Sequence, residues 1–154
     1  MDTSQPLTET IDPSAGELLH LILKTNNFVH KQIEVELSRH NLPPQLTGPR
    51  LRVLMEISAA GRLKMSELAA KLGVRARTVT QFVDVLEKDN FLVRLPDTSD
   101  RRATLLQLTE MAERIIAEAQ IVMDSVSEKL LENITLVQRK QLCDILLCII
   151  SDKE

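Results

Sequence analysis

Residues 66–90, SELAAKLGVRARTVTQFVDVLEKDN, run directly into residues 91–109, FLVRLPDTSDRRATLLQLT, and this succession leaves few folds open. The first segment reads as a short helix from an N-cap at Ser66, a turn at Gly73 and a second helix over about 75–89. The second segment alternates apolar and polar residues with period two on either side of a tip rich in Pro, Asp, Thr and Ser, the pattern of a β-hairpin. Two adjacent arginines, Arg101 and Arg102, stand on that tip, where they add nothing to a hydrophobic core.

With Val79 at the centre of the buried face of the second helix, Val83 and Leu86 fall within about 40° of it, at 100° per residue. Arg77, Thr80, Gln81 and Asp84 then point outward, and the first three carry side chains suited to base edges or phosphates. A plain amphipathic surface helix shares this pattern, so the helix alone does not decide the function. A helix-turn-helix followed at once by a hairpin with a basic tip is more specific. It defines a winged helix, in which one helix enters the major groove and the wing reaches the phosphates or minor groove beside it. Arg101 and Arg102 then have a destination. Asp97 and Asp100 would repel phosphate if unpaired, so at least one is expected to hold a neighbouring arginine through a charge-assisted hydrogen bond. The competing reading is a solvated turn with a local ion pair.

The net charge of −3 argues against nucleic acid only until it is resolved along the chain. Residues 50–102 hold eleven Lys/Arg against seven Asp/Glu, a net +4, which leaves −7 for the remainder. A basic middle on an acidic scaffold suits a phosphate-facing domain, although +4 is also compatible with an ordinary solvated surface. At 154 residues and 44% hydrophobic the chain is expected to be one soluble domain without a membrane span. The polar, acidic start, MDTSQPLTETIDPSAG, lacks the layout of a signal peptide, so residues 1–13 are expected to be a disordered lead-in and the location cytoplasmic.

Helices are expected on both sides. Over residues 14–41 Leu18, Ile22, Val29, Ile33 and Leu37 recur at helical spacing, and Leu19, Leu21 and Leu23 make the first half apolar nearly all round. Pro43 and Pro44 are expected to end that helix. A second helix is expected over 47–60, with Leu51, Leu54, Met55 and Ile57 inward and Gly61 as its stop. Residues 110–132 carry a stripe of Ile115, Ala119, Val122, Val126 and Leu130, on a helix about 35 Å long at 1.5 Å per residue. A last helix starts from a capping box of Thr135 and Gln138 and runs through Leu142, Ile145, Leu146 and Ile149.

The run LTGPRLRVLMEISAAGRLKMSELAAKLGVRARTVTQFVDVLEKDNFLVRLPDTSDRRATLLQLTEMAERI resembles the MarR family of bacterial winged-helix transcriptional regulators. The matching pieces are MSELAAKLGV, TVT, VD.LEK, LV.R, DRR and the closing LT. The resemblance implies a mainly α fold with a small β-hairpin wing, divided into a dimerisation helix (14–46), a winged helix-turn-helix domain (47–109) and C-terminal dimerisation helices (110–154). It implies a homodimeric regulator that binds double-stranded DNA, usually a repressor, often released by a small-molecule effector or by oxidation. The candidate DNA contacts are Ser66, Arg75, Arg77, Thr78, Thr80, Gln81, Arg101 and Arg102. The resemblance further implies that one wing arginine enters the minor groove while Asp100 fixes the other. Arg75 stands where the family commonly has Ser, which removes a side-chain cap and adds a cation at the positive end of the helix dipole; a bound phosphate would relieve both. Asn90 stands where Gly is frequent and is expected to take the same left-handed conformation. Val85 replaces a frequent Arg.

Other chemistries find little support in the sequence. Cys143 and Cys148 lie among Leu and Ile and read as buried apolar residues, which argues against thiol sensing. His20, His30 and His40, ten apart, share no helix face for a metal. No nucleophile, metal or phosphate-loop motif of an enzyme occurs, and no cofactor is expected. With only Phe28, Phe82 and Phe91 as aromatics, any effector pocket is expected to be mainly aliphatic. The rival reading is a winged-helix protein-interaction module that does not bind specific DNA.

Overall fold

The computed structural model describes residues 12–44, 46 and 48–151. Most of the expected lead-in, residues 1–11, lies outside the described residues, as does Thr47, the expected first residue of the second helix. In chain order the elements are α1 (Ala15–Arg39), α2 (Gly48–Ala60), β1 (Arg62–Lys64), α3 (Met65–Leu72), α4 (Ala76–Lys88), β2 (Leu92–Pro96), β3 (Thr104–Leu108), α5 (Glu110–Leu130) and α6 (Leu136–Ser151).

The helix ends follow from cap chemistry. Ser14 and Glu17 close a capping box at the start of α1, with Glu17 N–H donating to Ser14 Oγ at 3.2 Å and Ser14 N–H to Glu17 Oε2 at 2.7 Å. The end of α1 corrects the expectation placed on the prolines. Asn41 turns the chain with φ +53°, Asn41 N–H donates to Ser38 O and Leu42 N–H to Leu37 O, so the helix has closed before Pro43 is reached. Asn90 does the same for α4, with φ +60° and Phe91 N–H donating to Leu86 O at 2.9 Å, as its substitution for a common Gly predicts. Thr135 and Gln138 form the expected box at α6.

Two starts differ from expectation. Ser66 does not cap α3; the N-cap lies two residues earlier, at Lys64, and the Glu67 carboxylate accepts Lys64 N–H at 2.9 Å. The acid at the third helical position supplies the reciprocal half of a capping box, accepting the N–H of the N-cap residue, and among the described residues no serine hydroxyl accepts from the first turn. A third strand is also present. β1 pairs antiparallel with β3, Leu63 opposite Leu106, so the sheet order is β1-β3-β2 and the wing is anchored to the residues before α3. Three residues are too few for period two to register in a sequence.

The core lies where α2, α3 and α4 meet the sheet. Leu54, Ile57, Leu68, Val79, Val83, Leu86 and Leu106 are fully buried there, so the Val79, Val83 and Leu86 seat of α4 is as its helical spacing predicts. Leu37 of α1 and Ala112, Ile116 and Ala119 of α5 extend it. Thr109 welds the junction: its hydroxyl donates to Asn90 O at 2.7 Å and accepts Ala112 N–H at 3.2 Å, so one side chain joins the end of α4 to the start of α5.

Outside that core the helices stand uncovered. Leu18, Leu19, Leu21, Ile22 and Leu23 of α1 are exposed. Every residue of α6 except half-buried Arg139 is exposed, including Leu142, Ile145, Leu146 and Ile149. Cys143 and Cys148 are therefore exposed, not buried as their apolar neighbours suggested, because among the described residues nothing covers that length of α6.

Candidate nucleic-acid interface

The outward face of α4 and the tip of the wing carry the candidate DNA contacts. α4 opens at Arg75, which has extended backbone (φ −70°, ψ 148°) and offers no side-chain cap, and its first turn contains no acidic residue. Arg75, Arg77, Thr80 and Gln81 are exposed and Thr78 is half-buried. The Thr80 hydroxyl donates to Ala76 O at 3.0 Å within its own helix, which leaves its oxygen free to accept from a ligand. Ser66, the second residue of α3, is exposed in that helix's first turn.

The wing is organised by Asp97, which holds Lys64 and backbone N–H groups and not the neighbouring arginine that was one expectation for it. Asp97 is 7% exposed, and among the described residues it is the one buried charged side chain. Its Oδ1 accepts Ser99 N–H at 2.8 Å and Asp100 N–H at 3.4 Å, and its Oδ2 meets Lys64 Nζ at 3.3 Å. The Ser99 N–H holds this carboxyl below the usual range; burial opposes the shift and Lys64 assists it. Asp97 N–H donates to Ala103 O and closes the loop.

Asp100 is placed differently from its expected position. Its Oδ1 accepts the backbone N–H of Arg102 at 3.0 Å, and among the described residues no carboxylate pairs with the side chain of Arg101 or Arg102. An aspartate two residues before an N–H makes a local turn more readily than it captures a long, mobile guanidinium. Asp100 shapes the tip; both arginines project from it, exposed.

Charge is thus sorted within the basic segment. Glu56 pairs with Lys71, Asp84 and Glu87 with Arg94, and Asp97 with Lys64. Among the described residues, the side chains of Arg75, Arg77, Arg101 and Arg102 have no acidic partner. The start of α4 and the wing tip each therefore present two arginines without a pairing carboxylate. Among the described residues no group of three His, Cys, Asp or Glu converges to hold a metal, and no helix is long and apolar enough to cross a membrane.

Helix-turn-helix, three-stranded sheet and basic wing together define a winged helix-turn-helix protein. Residues 46–104 match the model of the MarR family. The HTH-type transcriptional repressor MdtR of Bacillus subtilis (strain 168) is 30% identical over 114 residues, 71% of this chain and 74% of that protein. The HTH-type transcriptional regulator YfiV of the same organism is 40% identical over 70 residues, 46% of this chain and 44% of that protein. A mutant MarR from E. coli complexed with operator DNA aligns with a TM-score of 0.75 at 26% identity, over 86% of this chain and 92% of that one. The chain belongs to the MarR family, and it is a winged-helix transcriptional regulator.

Proposed function

We propose that the protein is a cytoplasmic repressor that binds a pseudo-palindromic operator as a homodimer and is released by a small-molecule effector. The observation that carries the DNA reading is the sorting of charge: Glu56, Asp84, Glu87 and Asp97 pair with Lys71, Arg94 and Lys64, while the exposed side chains of Arg75, Arg77, Arg101 and Arg102 have no acidic partner among the described residues. α4 enters the major groove with Arg77 and Gln81 toward base edges, and the wing arginines take the adjacent phosphates and minor groove. The related MdtR is a repressor and the related E. coli MarR was solved on operator DNA, which supports the same role here.

The dimer reading rests on uncovered apolar surface. Contiguous exposed apolar patches above a few hundred Å² mark interaction sites on soluble chains, and both the first half of α1 and the length of α6 present such surface. A two-fold copy covers both at once. For the effector we assign the groove of about 690 Å³ between α1 and α5, lined by Phe28, Ile121, Val122 and Val126 together with Gln32, Glu118 and Lys129. It takes an amphipathic molecule with an aliphatic or single-ring body.

Fluorescence anisotropy with a duplex selected by the protein from a randomised pool tests the central claim. Binding is expected with two half-sites about one helical turn apart and a log-log salt slope near −0.9 per phosphate neutralised. Failure to enrich any sequence, or salt-insensitive binding, favours the protein-interaction module instead.

A further inference from the structure

Arg94 is the one side chain among the described residues that pairs with two carboxylates, and both belong to α4. Its Nη2 donates to Asp84 Oδ1 at 2.5 Å and its Nη1 to Glu87 Oε2. Asp84 lies on the outward face of α4, four residues beyond Thr80, and Glu87 lies one turn further on along the flank. Arg94 itself stands in the middle of β2, opposite the fully buried Leu106 of β3, so its backbone is fixed by the sheet. The guanidinium therefore bridges a rigid strand to the second half of the helix that carries Arg77 and Gln81.

The apolar seat of α4 sets how far the helix sits from the core, but apolar contact is non-directional and constrains rotation about the helix axis weakly. A guanidinium fork on two carboxylates is directional. With a helix radius of about 5–6 Å, a roll of about 10° moves a side-chain tip by about 1 Å, which is the scale at which a designed contact geometry fails. Exposed ion pairs contribute under about 1 kcal/mol to folding, so stability is a poor account of this arrangement and aim is a better one. We propose that Arg94 is a positioning residue for DNA recognition: by joining β2 to Asp84 and Glu87 it fixes the roll of α4 and so the aim of Arg77 and Gln81 at base edges. This rests on the DNA-binding reading above. It also has a counterintuitive consequence, because Asp84 and Glu87 then help a DNA-facing helix to bind an anion.

The test uses the full chain, with Arg94→Ala, the double variant Asp84→Ala/Glu87→Ala, and the combination of all three. Affinity is measured on the pool-selected duplex and on random duplex at matched salt, and amide hydrogen exchange is followed without DNA. Each variant is expected to bind the selected duplex about tenfold more weakly and random duplex within about twofold. The triple variant should be no weaker than Arg94→Ala, since the three residues act as one unit. Exchange in α4 should speed up in Arg94→Ala. Selected-site binding by the double variant that is equal to or tighter than wild type overturns the proposal, as do equal losses on both duplexes. Wild type that binds no duplex at all overturns the proposed function instead; in that case unchanged exchange in α4 removes the clamp, and faster exchange retains it as a constraint on the helix.

Discussion

Lys64 and Asp97 meet across the root of the wing, Nζ to Oδ2 at 3.3 Å, and so connect the residue that precedes α3 to the first residue of the wing's turn. Asp97 is buried and accepts two further backbone N–H groups, so one carboxylate orders the wing loop and ties it to the helix-turn-helix.

That arrangement carries a pH signature. The Asp97 carboxyl is held below its ordinary value, chiefly by Ser99 N–H and further by Lys64. A carboxyl with a depressed folded-state pKa stabilises the fold fully above its unfolded value of about 3.9, and the contribution is lost as pH falls through the folded value. Thermal melts of wild type and Asp97→Asn should therefore be separated at pH 6–7, with wild type higher, and should converge below about pH 4. Parallel melting curves across that range would count against the role given to Asp97.

The seat of α4 gives a stability prediction. Leu86 is fully buried against the core, and Leu86→Ala is expected to cost about 2–5 kcal/mol in urea unfolding. Val79→Ala removes less side chain and should cost less. Losses below about 1 kcal/mol at Leu86 would show that the core relaxes around the cavity or that α4 is seated elsewhere.

How far these features were legible in the sequence follows from their range along the chain. The α4 seat, the Asn90 turn and the Thr135–Gln138 box each depend on residues within about two turns of one another, and periodicity or cap chemistry specifies them locally. The Lys64–Asp97 and Arg94–Asp84/Glu87 pairs join residues whose proximity is created by strand pairing, so no local pattern announces them. β1 is silent in the sequence for the same reason: its three residues are a strand only because β3 lies beside them. Asp97 and Asp100 are both acids in one turn, and composition could not divide their work. The exposed cysteines mark a different gap, since the apolar pattern of α6 registers that the helix is to be covered without stating which chain covers it.

The uncovered face of α6 makes assembly testable by one charge. Ile145 and Leu146 are exposed and apolar in the single chain. Leu146→Arg places an unpaired cation in the proposed interface, a change that costs several kcal/mol when the charge is desolvated. Sedimentation at micromolar concentration should give a dimer for wild type and a folded monomer for the variant, with operator affinity falling steeply because the half-sites are no longer engaged together. A wild-type monomer would remove the two-fold model.

Sequence reading by α4 divides by residue. If Arg77 or Gln81 contacts a base edge, its Ala variant should lose about 1–3 kcal/mol on the selected duplex and relax preference at one position per half-site, with little change on random DNA. Arg75, at the uncapped start of the helix, is expected instead to contact phosphate, so Arg75→Ala should weaken both duplexes alike and reduce the salt slope by about 0.9. Measuring both duplexes across a salt series separates the two classes, and a base-specific loss at Arg75 would reassign it.

The tip of the wing supplies the sharpest contrast in sign. Asp100 faces no guanidinium; its Oδ1 accepts Arg102 N–H at 3.0 Å and so sets the backbone from which both arginines project. Deleting an anion beside phosphate should help binding by Coulomb's law, and Asp100→Asn tests that alone, because its amide oxygen still accepts the same N–H. Asp100→Ala removes charge and acceptor together, so the arginines must be ordered anew on binding, at about 0.5–1.5 kcal/mol per immobilised side chain. Asp100→Asn is therefore expected to bind as tightly as wild type or more tightly, and Asp100→Ala more weakly than Asp100→Asn at the same ionic strength. Arg101→Ala and Arg102→Ala should each lower affinity with melting temperature nearly unchanged, since both side chains are exposed, and the larger loss identifies the arginine that enters the minor groove. Equal affinities for Asp100→Asn and Asp100→Ala would reduce the wing to a charged loop whose backbone shape does not matter.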